Sequence, residues 1–258
     1  MKTLRTLALM ASVVALAACD KDAVQISSIT APISGARVKF FNFGLNAPGV
    51  NFYAGNNKVT AVSSTTGVES TTGVAFGAVA AGNLYTALPA GQVTFAGKIA
   101  ATIDKDVTVA TVPATLADGK AYSVYVSGFY DATTKQVEGF VVEDAFTDTY
   151  DFTQALVRFV NASPNSTPMQ LFLRNATSLV ESSVGNAVAY KAGGAFVAVP
   201  AGGYELNTRT VGSGVNAITR TAVSFLAGRV YTITARGDMT IVSTTLANRP
   251  FLDNSLNR

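Results

Sequence analysis

Four acidic side chains at short spacing, Glu143, Asp144, Asp148 and Asp151, lie between two similar halves of the chain. Carboxylates grouped in this way could bind Ca²⁺, which stiffens some extracellular repeat arrays when it binds between domains. The stretch lacks the Gly and the regular ligand spacing of a calcium loop, however, and charge runs usually lie in solvent. We therefore favour a solvated linker and strand end, and these four residues remain weak calcium candidates.

A second pair of carboxylates, Asp104 and Asp106, flanks Lys105. Two carboxylates on either side of a glycosidic bond can act as an acid and a base. Nothing else in the sequence supports a glycosidase, since the chain contains no Trp on which a sugar ring could stack and few acidic residues. We therefore favour a hairpin turn, where Asp is common.

The chain contains no His and one Cys, and this composition excludes several kinds of site. A Ser-His-Asp triad, a Cys-His pair and a His metal ligand all need a residue that is missing. With Cys19 as the only Cys, the chain cannot form an internal disulfide or a multi-thiolate metal site. We predict no catalytic residues, no cofactor and no enzyme activity.

Cys19 ends a segment that has the parts of an export signal. Lys2 and Arg5 form a basic start, a short apolar run follows, and small residues precede Cys19. The apolar run is about half of the ~20 residues that a membrane-spanning helix needs. Leu16-Ala17-Ala18-Cys19 resembles the lipobox of bacterial lipoproteins. The resemblance implies that residues 1–18 are a cleaved signal peptide and that Cys19 is acylated.

The predicted anchor sets where the chain works. We expect a lipid-anchored protein of the bacterial cell envelope, periplasmic or surface-exposed, whose first partner is the membrane. More than one acyl chain gives stable anchoring. Asp20 favours retention in the inner membrane under one sorting rule, whereas Asp20-Lys21-Asp22 also resembles acidic surface-export signals. Both alternatives stay open at this point.

An internal repeat follows the anchor. Val38-Lys39-Phe40-Phe41-Asn42 matches Val157-Arg158-Phe159-Val160-Asn161, and further matches keep the same order at a nearly constant offset. The small drift of the offset is explained by length changes in loops. The predicted organisation has five parts: a signal peptide (1–18), an acylated Cys with a tether (19–34), repeat 1 (35–147), repeat 2 (153–247) and a loose C-terminal tail (248–258).

Alternating apolar and polar residues predict strands in both repeats, for example over 37–41, 122–126 and 231–235. Pro-Ala-Gly and Asp-Gly or Ala-Gly steps mark turns before several of these segments. Short strands with a turn signal at roughly every eight to twelve residues are typical of a sandwich. We predict an all-β fold of two tandem immunoglobulin-like β-sandwich domains.

The second repeat resembles domain-of-unknown-function family 4397. That family opens with a strand of the type Ala-x-Val-Arg-Phe-Val-Asn-Ala-Ser-Pro, and residues 155–164 read Ala-Leu-Val-Arg-Phe-Val-Asn-Ala-Ser-Pro. A Val-Pro-Ala-Gly turn (199–202) and a Leu-Ala-Gly-x-x-Tyr-Thr element (226–232) continue the likeness. Repeat 1 matches more loosely, with Phe43-Gly44-Leu45-Asn46 in place of Ala-Ser-Pro. The resemblance implies a β-sandwich on an exported protein and carries no catalytic motif.

Aromatic residues recur at equivalent positions, Tyr122 with Tyr231 and Phe40 with Phe159. Paired aromatics could form a sugar-stacking face, but recurrence at alternating strand positions favours the core. The loop repeat 64–68 and 70–74 is either a binding loop or a tolerated insertion.

Asn42 and Asn161 follow the first strand of each repeat, where an Asn side chain can close a turn. Arg37, Lys39 and Arg158 are predicted on the outer face of that strand, where they would protect a sheet edge from pairing.

These observations predict a membrane-anchored binding or structural module without catalytic activity, with a glycan- or small-ligand-binding lipoprotein as the alternative. An envelope protein or a glycan is the expected partner. The formal net charge is +3, and two of the positive charges precede Cys19. This gives no support for a nucleic-acid partner, which usually needs a clustered basic face.

Overall fold

The computed structural model describes residues 34–60, 72–147 and 149–258. In these ranges the chain consists of β-strands and loops with one short 3-10 helix, Ala80–Asn83. The strands form four sheets, which pair into two β-sandwich-like domains. The predicted all-β fold with two tandem sandwiches is confirmed.

The first sandwich contains nine strands within the described residues. They are β1 (Ala36–Leu45), β2 (Val50–Ala54), β3 (Asn57–Lys58), β4 (Ala78–Val79), β5 (Thr86–Leu88), β6 (Gly91–Ile99), β7 (Thr108–Leu116), β8 (Ala121–Phe129) and β9 (Gly139–Glu143). One sheet has the order β4-β1-β8-β9, with β5 also paired to β1, and the other has the order β3-β2-β6-β7.

The second sandwich repeats this arrangement. Its strands are β10 (Gln154–Asn161), β11 (Met169–Asn175), β12 (Glu181–Val188), β13 (Ala192–Gly193), β14 (Val197–Pro200), β15 (Gly202–Thr210), β16 (Ile218–Phe225), β17 (Val230–Arg236) and β18 (Phe251–Leu256). One sheet has the order β13-β10-β17-β18, with β14 also paired to β10, and the other has the order β12-β11-β15-β16.

Each sandwich has its own apolar core between its two sheets. Val38, Phe40, Phe52 and Phe95 are at most 1% exposed in the first core. In the second, Phe159 packs among the aliphatic residues of β11 and β15. Burial of such side chains contributes roughly 1.5–3 kcal/mol each. Because each sandwich has a complete core, neither depends on a disulfide.

The strand β1 is buried on both faces, with nine of its ten residues buried. It pairs in parallel with β8 on one side and antiparallel with β4 and β5 on the other. The corresponding strand β10 pairs in parallel with β17 and is also an inner strand. The prediction that Arg37, Lys39 and Arg158 protect a sheet edge is therefore wrong, because neither strand has a free edge there.

The C-terminal residues belong to the fold. β18 pairs along its whole length with β17, and its Leu252 is fully buried in the second core. The prediction of a loose tail over 248–258 is therefore wrong for residues 251–256. The segment Phe-Leu-Asp-Asn-Ser-Leu has no regular apolar alternation, so its pattern contained no signal for this strand.

The two sandwiches present equivalent loops at the same end. Near the ends of β8 and β10, the Ser127 hydroxyl donates to the Ala162 carbonyl across the sandwiches. Near the starts of β1 and β10, Lys39 donates to the Leu256 carbonyl and Arg158 to the Glu143 carbonyl. Strand starts thus meet strand starts. We call the two ends the Gly35 end and the Ile103 end.

Candidate functional site

The outer faces of β1 and β10 pack against each other and enclose a group of charged and polar side chains, which we call the inter-sandwich network. Its members are Lys39, Tyr85, Ser123, Asp144, Arg158, Thr232 and Asn257. At its centre Arg158 of the second sandwich forms an ion pair and hydrogen bond with Asp144 of the first, and their side chains are 1% and 0% exposed. This is the most deeply buried ion pair among the described residues.

The other two nitrogens of the Arg158 guanidinium also donate hydrogen bonds. Its Nη1 donates to the Glu143 carbonyl (2.8 Å), and its Nε donates to the Thr232 hydroxyl (3.0 Å). The guanidinium lies over the Phe196 ring, 4.8 Å from its centroid. Arg158 therefore bridges both sandwiches with a planar, multiply bonded side chain, a role for which Lys is less suited.

Asp144 accepts several hydrogen bonds besides the ion pair. The Ser123 hydroxyl donates to its Oδ2 at 2.9 Å, and the Tyr85 hydroxyl donates to the same oxygen at 2.6 Å. Asn257 of the second sandwich donates through Nδ2 to the Tyr85 oxygen (2.7 Å). Burial, together with the Asp144 carboxylate, raises the pKa of Tyr85, so the phenol stays neutral and acts as a donor.

Lys39 is the second buried cation of the network and is 1% exposed. Its Nζ donates to the Leu256 carbonyl and to Asn83 Oδ1 (3.2 Å) and lies 4.5 Å from the centroid of the Tyr85 ring. Burial lowers the pKa of Lys39 to about 8; Asp144 opposes this effect, and Arg158 adds to it. Two cations therefore share one carboxylate in this network.

The network has approximate two-fold symmetry. Strand register makes Asp144, just after β9, the counterpart of Asn257, just after β18, because Tyr122 pairs with Glu143 and Tyr231 with Leu256. Three further pairs correspond: Lys39 with Arg158, Tyr85 with Phe196, and Ser123 with Thr232. Each cation lies over the aromatic ring of its own sandwich and donates to a carbonyl of the other.

An apolar cluster completes the interface beside the network. Phe41, Phe43, Tyr125 and Phe140 of the first sandwich pack with Val160 and Ala162 of the second. The Tyr125 ring stacks between Phe41 (4.7 Å) and Phe140 (4.8 Å). Burial raises the pKa of Tyr125 to about 12. The interface thus combines a domain-like apolar core with a satisfied polar network, and it holds the two sandwiches as one body.

Each sandwich also carries a groove along two neighbouring strands. The first has a volume of about 630 Å³ and lies along β6 and β7, where Gln92, Thr94 and Thr115 supply polar groups. The second has a volume of about 320 Å³ and lies along β15 and β16, where Glu205, Thr221 and Ser224 do so. Both are shallow and mixed in polarity.

Two overlapping segments of the chain, residues 36–172 and 155–257, match the model of one protein family, described as a domain of unknown function (DUF4397). The chain belongs to the DUF4397 family. The matches cover both sandwiches, so the tandem arrangement of DUF4397 domains is confirmed. A search of curated proteins found no match to the chain.

The three calcium candidates that the structure describes in this DUF4397 tandem, Glu143, Asp144 and Asp151, do not form a metal site. Glu143 pairs with Lys120 at 3.1 Å, and Asp144 is occupied by Arg158. Asp151 accepts bonds from Thr153 and Gln154. Asp148 lies outside the described residues. Within the described ranges, no group of three or more acidic, His or Cys side chains is placed to hold a metal ion.

The other predicted side chains have structural partners. Asp104 pairs with Lys135, and Asp106 accepts from the Tyr53 hydroxyl at 3.0 Å, both in the connection between β6 and β7. The Tyr122 and Tyr231 hydroxyls accept from the backbone amides of Ala117 and Leu226 at the turns before their strands. All four repeated aromatics are buried, including Phe40 and Phe159 at 1% exposure.

Asn42 and Asn161 close the same turn in the two sandwiches. Asn42 donates to the Pro48 and Val74 carbonyls and accepts from the Gly44 amide. Asn161 donates to the Val188 carbonyl and accepts from the Ser163 amide. The segment 64–68 and residues 70 and 71 of the loop repeat lie outside the described residues, as does Cys19. No helix in the described ranges is long and apolar enough to cross a membrane.

Sequence reasoning missed the packing of one sandwich against the other. Tyr85 and Asn257 gave no signal, because a Tyr in a loop and an Asn near the terminus have no periodic pattern. A signal was present in β1, where Phe41 and Phe43 lie on the face opposite to Phe40. A strand that is apolar on both faces is typically covered on both.

Proposed function

We propose that the chain is a lipid-anchored extracytoplasmic protein of the cell envelope whose two DUF4397 domains form one rigid, non-catalytic binding or structural unit. The proposal of a rigid unit is supported mainly by the buried Arg158–Asp144 ion pair, which links the two sandwiches inside their interface. The anchor is supported by the Leu16-Ala17-Ala18-Cys19 segment.

The non-catalytic part of the proposal is supported by the state of the ionisable groups. Catalysis needs acids, bases or nucleophiles that a substrate can reach. In the inter-sandwich network, Lys39, Asp144 and Arg158 are 1%, 3% and 1% exposed, and each has bonded partners. Their chemistry is used to join the sandwiches.

The anchor is tested by the fate of Cys19. We expect the natural chain to stay with membranes after an alkaline wash and to incorporate an alkyne-labelled fatty acid. Cys19→Ser should lose the label and leave the membrane fraction, because only the thiol forms the thioether. Ser27→Ala, a change outside the lipobox, should behave as the natural chain does. An unlabelled natural chain, or a Cys19→Ser variant that remains membrane-bound, would refute the anchor.

The binding part is tested with residues 20–258 added to envelope fractions, half of each pre-treated with protease. Saturable binding that protease removes would indicate a protein partner, and binding that survives would indicate a glycan or lipid. If no binding saturates, the unit has a structural role.

Glycan or small-ligand binding is the second candidate, and the presence of a groove on each sandwich favours it. A ligand that binds only the folded state raises the melting temperature in a saturable way. We expect such a rise to be reduced by Gln92→Ala and Glu205→Ala together, while Lys135→Ala, at the Ile103 end, leaves it unchanged. A flat response across a glycan panel would remove this candidate.

A further inference from the structure

Exposed apolar side chains project from the second sandwich at its Gly35 end. Phe152, Leu179, Val180 and Leu226 are 57%, 58%, 65% and 61% exposed. Register places these loops together at one end, since Gly202 pairs with Phe225 and Tyr204 with Asn175. Leu226 therefore follows β16 where β15 begins, and the turn with Leu179 and Val180 leaves β11 at the same level.

Phe152 is exposed, but its ring packs against Tyr150 and Gly228. Its ring lies 4.7 Å from that of Tyr150, whose hydroxyl donates to the Gly228 carbonyl at 2.8 Å. Gly228 is a neighbour of Phe152, and a Cβ added to Gly228 would be in ordinary van der Waals contact with the ring, at 3.4 Å. An aromatic side chain that already packs against neighbours loses less conformational entropy on entering an apolar medium than a fully free one.

The first strand of the first sandwich also begins at this end, directly after Gly35. The Gly119 amide donates to the Gly35 carbonyl, and the Gly228 amide donates to the Gln154 carbonyl, both at 2.8 Å. Gly35 and Gln154 are thus equivalent positions, one in each sandwich. Because the starts of β1 and β10 lie at one end, Gly35 and the exposed Phe152 and Leu226 share that end of the molecule.

We propose that the Gly35 end rests on the lipid bilayer, with Phe152 and Leu226 entering the interfacial layer. This inference rests on the proposed acylation of Cys19, which would keep a bilayer next to this end. Rings and aliphatic side chains are stable at the membrane interface. The anchor supplies a high effective concentration, so a weak intrinsic affinity is enough.

A net charge on these loops would favour lipids whose headgroup has the opposite charge. The loops, however, carry both acidic and basic residues. Asp118 and Asp151 stand beside Lys120 and Arg229 in the turns of this end. The contact is therefore hydrophobic in kind, and vesicles of zwitterionic phosphatidylcholine are the appropriate probe. The contact would fix the tilt of the rigid unit and direct its Ile103 end away from the membrane.

The chain contains no Trp and one Cys, which allows a direct test. The chain from Cys19 onward is coupled through its only thiol to a maleimide lipid in phosphatidylcholine vesicles. Single indoles are introduced by Phe152→Trp, Leu226→Trp or Val211→Trp. Val211 is 73% exposed and follows β15 at the Ile103 end, so it is the matched control.

The Phe152→Trp and Leu226→Trp indoles should shift to shorter emission wavelength on coupling and be quenched by brominated acyl chains. The Val211→Trp indole should show neither change. Equal quenching of all three indoles, or no quenching at positions 152 and 226, would overturn the inference. Coupling is chemical here, so these outcomes do not depend on whether Cys19 is naturally acylated; that is decided by the labelling experiment above.

Discussion

At the scale of single residues, Asp144 is the group on which the inter-sandwich network depends. Two buried cations, Lys39 and Arg158, face one carboxylate, because the counterpart of Asp144 in the second sandwich is the neutral Asn257. Burying charges costs several kcal/mol per ion unless the pairing geometry and hydrogen bonds offset it. We therefore expect the network to select one relative position of the sandwiches more than it adds to stability.

Removing the charge of Asp144 leaves Arg158 buried without a counter-ion. We expect Asp144→Asn to lower the free energy of unfolding by about 3–5 kcal/mol, measured by urea denaturation. Glu143→Gln is the matched control, since its pair with Lys120 is exposed and such pairs contribute at most about 1 kcal/mol.

The double variant Asp144→Leu with Arg158→Met separates charge from packing. Two apolar side chains of similar volume need no counter-ion, so the double variant should be more stable than either single variant. If the double variant loses as much free energy of unfolding as the two single variants added together, the two residues act independently, which would contradict the proposed pairing.

Lys39 gives the network a pH dependence. Its pKa falls from 10.5 to about 8 on folding, so between these values the unfolded chain binds more protons than the folded one. Stability must then rise as the pH increases from about 8 towards 10. The free energy of unfolding is measured against pH for the natural chain and for Lys39→Met. Subtracting the second profile from the first removes the contribution of the other titrating groups. The difference should rise over this window, and a flat difference would contradict the lowered pKa.

At the scale of the elements, the alternating sequence pattern located strands correctly, including strands that are buried on both faces. The segments 37–41, 122–126 and 231–235 lie in β1, β8 and β17, because alternation reports which side chains face a core. The pattern failed at β18, which is short and polar and is held mainly by backbone pairing to β17. It also failed for the outer faces of β1 and β10, whose partner is distant in sequence.

The strand β18 provides a prediction of its own. Leu252 is fully buried, whereas Leu256 in the same strand is 38% exposed. We expect Leu252→Ala to lower the free energy of unfolding by about 2–5 kcal/mol, as for other buried Leu residues. Leu256→Ala should cost clearly less, since its contribution to the network is a backbone carbonyl. If both variants lower the melting temperature by the same small amount, β18 does not contribute to stability through Leu252.

At the scale of the whole molecule, the approximate two-fold relation explains why the tandem is more than two linked modules. Equivalent strands meet face to face, equivalent cations cross to equivalent carbonyls, and equivalent loops share an end. Gly35 and the exposed loops at the Ile103 end therefore lie at opposite ends of the two-sandwich unit. Ligand grooves in the two sandwiches would likewise keep a fixed spacing, which is the condition for bivalent binding without a flexible linker.

The same relation predicts a single unfolding transition. Separating the sandwiches would expose Phe41, Phe43 and Val160 and would leave Arg158 without Asp144, so each half should lose stability when it is alone. Calorimetry of residues 34–258 should show one transition whose calorimetric and van't Hoff enthalpies agree. Residues 149–258 expressed alone should melt at lower temperature or self-associate through the exposed face. Two transitions in the full unit, each at the temperature of the isolated half, would mean that the interface does not couple the sandwiches.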